Sequence, residues 1–195
     1  MPCRLARMPP PRKLARAESA LVLVDYQARL LPAIDGGEAA LLEAVFLAQV
    51  AAALGVPVLG TEQHPAGLGP NDERVRSRCQ RTLAKVHFDA AAEGLLEALR
   101  AARPGVRQVV LGGCEAHVCL LQTALGLQAA GLEVLVVPGA CGSRRAGDQA
   151  LAMQRLAQAG VALGSAEMVA YEWLEASTDP AFRQVLSLVK ARPVK

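Results

Sequence analysis

Residues 107–140, RQVVLGGCEAHVCLLQTALGLQAAGLEVLVVPGA, hold the pattern that decides the fold. The run 107–113 is apolar and β-branched, and it breaks at Gly112-Gly113. From 116 to 131 the apolar residues recur at three- and four-residue spacing and stop at Gly131, the signature of a helix with a glycine past its end. A second apolar run, 133–140, follows at once. Strand, helix and strand in this order make a βαβ unit, whose two strands must be parallel because the chain returns through the helix.

The same alternation extends in both directions. Toward the N-terminus, ALVLVDY (20–26) predicts a buried strand closed by an acid. Residues 37–55 predict a helix ending at Gly55, and 56–61 a second strand. A loop punctuated by Gly and Pro follows, then a short strand ending near Lys85 and a helix over about 90–102. Beyond 140 the pattern predicts a helix near 147–159, a short strand at 161–164 and two closing helices. The class is therefore α/β: a three-layer α/β/α domain over 18–190 with a five- or six-stranded parallel sheet of Rossmann-like type, joined by right-handed crossovers.

Composition sets limits on function. The chain has 195 residues, 52% of them hydrophobic, which excludes a disordered chain and gives one domain with a full core. No apolar run reaches the roughly 18–20 residues of a membrane span, so no membrane association is expected. The net charge of +3 resides in the tails. Eight of the 21 basic residues lie in 1–16 and 190–195, leaving 13 in the body against 18 acidic residues. A nucleic-acid binder carries its positive charge on the folded face, so nucleic acid is set aside as a partner. The arm 1–17, with MPPPRK at 8–13, reads as disordered and lacks the apolar core of a secretory signal. Three consecutive prolines and the absence of Ser from residues 1–16 also argue against a transit peptide, and a cytoplasmic location is expected. Five cysteines without a C-x-x-C pair suit a reducing compartment and no disulfide framework.

In open parallel sheets ligands bind beyond the carboxyl ends of the strands. Asp25, Lys85 and the Gly113–Cys119 segment stand there. Cys119 lies in the first turn of a helix, where free N–H groups and the helix dipole favour a thiolate and can receive an oxyanion. Its plainer reading is a small buried core residue. Asp25 can accept a thiol proton, bind a ribose, cap a turn or stand solvated at a strand end. Lys85 is a lone cation in an apolar stretch, able to stabilise a thiolate or to sit in solvent. The nucleotide loops G-x-G-x-x-G after the first strand and G-x-x-x-x-G-K-[ST] anywhere are absent, as is the hydrolase elbow G-x-S-x-G. His64, His87 and His117 show no metal-ligand spacing, so no metal is expected; His87 and His64 are candidates for lining a substrate pocket, and His117 for capping or packing at the helix start.

LVLVDYQ (21–27), AKVHFDA (84–90) and the segment 111–144 resemble the three signatures of the isochorismatase-like cysteine hydrolases. TEQHPAGLG (61–69) and DPAFRQVLSLVK (179–190) are most similar to the isochorismatase domain-containing subgroup, and the likeness covers roughly 18–190. The resemblance implies that fold, a homo-oligomer, no cofactor and a small-molecule amide or related substrate. It implies Asp25 as the acid that takes the thiol proton, Lys85 as the thiolate's stabiliser and Cys119 as the nucleophile. It also implies an oxyanion hole of the backbone N–H groups of Glu115 and Cys119, a cis peptide between Cys114 and Glu115, and a thioester intermediate. The loop after the second strand lacks the Asp-x-His cluster of metal-assisted nicotinamidases. Isochorismatases proper cleave a vinyl ether and need not use the cysteine. Two other functions use the same pocket: a non-catalytic member that binds a metabolite or partner, and a thiol redox sensor, with Cys114 near enough in sequence to pair with Cys119. A hydrolase or a sensor is expected to hold Cys119 well below the reference thiol pKa of about 8.5.

Overall fold

A computed structural model describes residues 12–192. Six strands, β1 (Ser19–Val24), β2 (Val58–Gln63), β3 (Arg81–Lys85), β4 (Gln108–Cys114), β5 (Glu133–Gly142) and β6 (Ala162–Leu163), form one parallel sheet in the order β3-β2-β1-β4-β5-β6. The helices are α1 (Gly37–Ala53), α2 (Pro65–Leu68), α3 (Glu73–Arg76), α4 (Leu95–Ala102), α5 (Leu121–Ala129), α6 (Ala146–Gln158), α7 (Ala166–Leu174) and α8 (Phe182–Lys190).

The side-chain alternation of the strands divides the core in two. Leu21, Leu23, Val110, Leu135 and Val137 pack with α1, α7 and α8 on one face. Ala20, Val22, Val24, Val109, Leu111, Val134 and Val136 pack with α4, α5 and α6 on the other. Every residue of β1 and β4 is buried, as the uninterrupted apolar runs predict for strands covered on both faces.

The sheet order fixes where a ligand site can form. β1 and β4 are neighbours, but the chain leaves β1 toward α1 on one face and leaves β4 toward α5 on the other. The divergence opens a crevice at their carboxyl ends. Gly113 lets the two ends close up: a Cβ there would stand 2.5 Å from the Cβ of Val24 and 2.6 Å from its carbonyl oxygen.

Several elements differ from the sequence expectation. The helix expected over 90–102 is divided: a 3-10 turn (Ala90–Ala92) precedes α4, with Gly94 between them at φ 87°. The helix expected from 116 opens with a π-helical turn, Ala116–Leu120, before α5. β2 runs to Gln63, two residues beyond the apolar run, and the loop after it contains α2 and α3, each too short to show a period. Of the arm read over 1–17, residues 12–17 pack on the domain. The Leu14 side chain is buried, its N–H donates to Glu172 Oε2 at 2.7 Å, and the Ala15 N–H donates to Gln108 Oε1 at 2.7 Å. Residues 1–11 lie outside the described residues. Among those described, no helix is long and apolar enough to cross a membrane.

Candidate active site

Four adjacent strand ends supply the site. Asp25 is the first residue past β1 and takes φ 55°, a left-handed conformation rare for a residue with a Cβ. Its backbone N–H donates to the Thr61 carbonyl at 3.1 Å, which holds the conformation against β2. The carboxylate is fully buried. Oδ1 accepts the Thr61 hydroxyl at 2.7 Å, and Oδ2 accepts Lys85 Nζ at 2.8 Å. Lys85, the last residue of β3, is also buried, and its ammonium donates a second bond to Gln63 Oε1 at 2.6 Å. The sheet register produces this meeting, since Gln63 stands opposite Lys85 while Val24 stands opposite Thr61 on one side and Gly113 on the other. Breaking one partner out of such a buried pair costs about 3–5 kcal/mol, because the other charge is then left unpaired.

Cys119 sits on the π-helical turn after β4, with only 6% of its surface exposed. Its Sγ lies 3.9 Å from Gln63 Oε1. Burial, and after it the negative charge of Asp25, push the thiol up to about 12, while Lys85 pulls the other way. This corrects the expectation of a thiol below 8.5. The helix start does not produce a thiolate here, because the sulfur lies in an apolar layer with Ala116 and Leu120 and has an anion beside it as well as a cation. The resting cluster is a protonated thiol beside a carboxylate–ammonium pair.

The Cys114–Glu115 peptide bond is cis. Among the described residues no protein acceptor takes the Glu115 N–H, while the Glu115 carboxylate turns to Arg144, accepting its backbone N–H and its Nε, each at 3.0 Å. Cys114 and Cys119 pack in opposite halves of the core, Cys114 on the α1 side and Cys119 on the α5 side, and all four described cysteines are free thiols.

Asp25, Lys85 and Cys119 thus come together, whereas the three histidines lie apart from their hydrogen bonds. His64 is exposed before α2 at φ 41°, its ring against Gly67. His87 stands on the exposed lip after β3, with Nδ1 2.9 Å from Glu93 Oε2. That oxygen also accepts the Val86 and His87 backbone N–H groups. His117 is half-buried, with Nδ1 3.0 Å from Ser143 Oγ. No group of three or more His, Cys, Asp or Glu suited to a metal occurs among the described residues. Two surface clefts of about 460 and 530 Å³ lie away from the cluster, one against α1 and α8 and the other against α7. Sequence reading missed Thr61 and Gln63. The only signal for them was the polar TEQ at 61–63, and it carries weight only once β2 is known to extend through it.

The comparisons with known proteins agree with this architecture. A family model described as the isochorismatase domain matches residues 19–168. Isochorismatase domain-containing protein 1 of Danio rerio is 36% identical over 91% of this chain and 62% of its own length. Isochorismatase domain-containing protein 2 of Homo sapiens is 35% identical over 88% of this chain and 83% of its own. The chain thus spans less than two thirds of the Danio rerio relative. Among solved structures, the MAR1 ribonuclease of Caenorhabditis elegans superposes with a TM-score of 0.86 at 28% identity, covering 94% of this chain and 99% of that one. The YcaC gene product of Escherichia coli, described as an octameric hydrolase of unknown specificity, gives 0.84 at 23% identity over 92% of each chain. A parallel α/β sheet with the ends of β1 to β4 converging on one cluster, and a family match across most of the fold, lead to one conclusion: the chain belongs to the isochorismatase family.

Proposed function

We propose that this protein is a hydrolase that cleaves a small amide or related acyl compound through a thioester on Cys119. The observation that carries the reading is the meeting of the buried Cys119 thiol with the buried Asp25–Lys85 ion pair at adjacent strand ends, burial keeping the thiol protonated. A thiol in that state needs a base at the moment of attack, and the Asp25 carboxylate is the acidic group that acts on it from nearby. The sulfur adds to the acyl carbon as its proton passes to Asp25. The developing oxyanion is received by the backbone N–H groups of Glu115 and Cys119. Asp25 then returns the proton to the nitrogen, which leaves as ammonia or an amine. Water adds to the thioester with Asp25 again taking a proton; the C–S bond then breaks, Asp25 returns that proton to the sulfur, and the acid leaves. Lys85 holds Asp25 in place and opposes the build-up of negative charge on sulfur. These steps draw on no cofactor.

Near-complete burial of Cys119 favours a small substrate. The octamer described for YcaC supports a homo-oligomer for this chain. Free thiols in all four described cysteines support a reducing compartment such as the cytosol. A thiol sensor fits less well, since Cys119 is almost wholly buried and Cys114 packs in the opposite half of the core. The test is ammonia or amine release from a panel of small amides, comparing wild type with Cys119→Ser. Turnover that disappears in the variant supports the proposal; turnover that survives in it overturns the cysteine route. No turnover on any amide would leave the binding-member reading in front.

A further inference from the structure

We propose that Gln63 is a positioning residue for the nucleophile: its carboxamide oxygen fixes the Lys85 ammonium so that the one N–H left over points to the Cys119 sulfur. This inference rests on the reading of Cys119 as nucleophile. An ammonium has three N–H donors and no acceptor. Asp25 Oδ2 takes one at 2.8 Å and Gln63 Oε1 takes another at 2.6 Å. Because Lys85 is buried, its third donor cannot be satisfied by bulk water. Cys119 donates its S–H toward that same Gln63 oxygen at 3.9 Å, which brings the sulfur beside the ammonium, and a hydrogen bond from Lys85 is among the effects that lower the thiol.

The orientation of Gln63 is not free. Its Oε1 must face an ammonium that can only donate, and its Nε2 donates to the Val86 carbonyl at 2.7 Å. Its backbone N–H is held in turn by Gln27 Oε1 at 2.9 Å. The carboxamide is therefore fastened at both of its ends, and the residue that carries it at its backbone. It is also neutral, which keeps Asp25 as the only carboxylate among the described residues hydrogen-bonded to the buried ammonium. A second carboxylate there would draw the ammonium away from sulfur and place another negative charge next to the thiol.

The test is the pH dependence of Cys119 alkylation by iodoacetamide, read by intact mass and peptide mapping in wild type, Gln63→Met and Gln63→Glu. Below the thiol's titration the rate follows the thiolate fraction, so each unit of upward shift slows labelling tenfold. Gln63→Met is expected to slow labelling of Cys119 at least threefold at pH 8, and Gln63→Glu at least tenfold. Gln63→Glu keeps the side-chain shape, so it serves if the methionine variant does not fold. Unchanged or faster labelling in the soluble variants overturns the proposal, as does equal slowing in both. On an amide that wild type turns over, kcat is expected to fall with KM nearly unchanged; a rise in KM alone would make Gln63 a substrate contact and overturn the positioning role. Labelling reads the lysine geometry without turnover. Amide release in Cys119→Ser tests the nucleophile separately, so each claim can fail by itself.

Discussion

At the scale of single residues, the site depends on two charges acting in opposite directions on one sulfur. Asp25 raises the Cys119 thiol and Lys85 lowers it, both on top of the larger effect of burial. Asp25→Asn is therefore expected to shift the alkylation profile of Cys119 to lower pH, since it leaves Lys85 to pair with the sulfur, while abolishing amide turnover. Lys85→Met is expected to shift the profile to higher pH and to lose turnover as well. Shifts of the same sign in both variants, measured by rate of labelling against pH, would contradict the arrangement. Asp25 and Cys119 were legible in the sequence as candidates because each lies beyond an apolar run that had to be a strand, and Lys85 because it is a lone cation at the end of a short strand. The state of the thiol was not legible. A helix-start cysteine reads as a thiolate, and only the depth of its burial and the negative charge of Asp25 reverse that reading. Gln63 escaped notice for another reason: its importance lies in standing opposite Lys85 across β2 and β3, a register that strand boundaries off by two residues conceal.

At the scale of elements, α5 and the lip after β3 are tied together by Thr123. Its hydroxyl oxygen accepts the buried Ala90 N–H at 3.0 Å, and the hydroxyl lies 3.4 Å from the Phe88 carbonyl as a donor. Thr123 is four residues beyond Cys119, so it holds the lip that follows Lys85 against the helix that carries the thiol. Thr123→Val keeps the shape but leaves a buried N–H unpaired, and is expected to cost about 1–3 kcal/mol in urea unfolding. A loss below about 0.5 kcal/mol would mean the tie is not made. Gly113→Ala is a second test of element placement. Its Cβ would meet Val24 on β1 at 2.5 Å, so the ends of β1 and β4 must part, at a cost of about 1–3 kcal/mol. Elements with a long period or a long apolar run were read correctly in kind and nearly in extent, α1 and β4 among them. The π-helical turn at Ala116–Leu120 and the break at Gly94 were not, because both preserve helical spacing on either side and show only in backbone geometry. The four-residue α2 and α3 are shorter than the period that would reveal them.

At the scale of the whole molecule, stability acquires a pH dependence from its buried thiols. Burial raises Cys79 to about 11 and Cys141 to about 12, and Cys119 stands at about 12. Above about pH 9 the unfolded chain has released these protons while the folded chain still holds them. The stabilisation they give is thus complete below pH 9 and is lost as the pH rises from there toward 11–12, by at most about 1.4 kcal/mol per pH unit for each thiol. Urea midpoints are expected to hold up to about pH 9 and then to fall steadily to about pH 11, with a smaller fall in Cys141→Ala. A flat profile would contradict the burial of these groups. Size by light scattering is expected to show a homo-oligomer; a monomer at micromolar concentration would overturn that extension of the proposal. The three-layer class was legible because strands and helices alternate through most of the chain, but the strand order that places the carboxyl ends of β1 and β4 side by side was not, since it depends on contacts between distant segments. The central claim, that Cys119 takes the acyl group, is tested most directly by acid-quenching the enzyme during turnover of an amide and mapping adducts by peptide mass. The account predicts the mass of the acyl fragment on the peptide containing Cys119 and none in Cys119→Ser. Amine release that proceeds without any adduct, and equally well in Cys119→Ser, would contradict it.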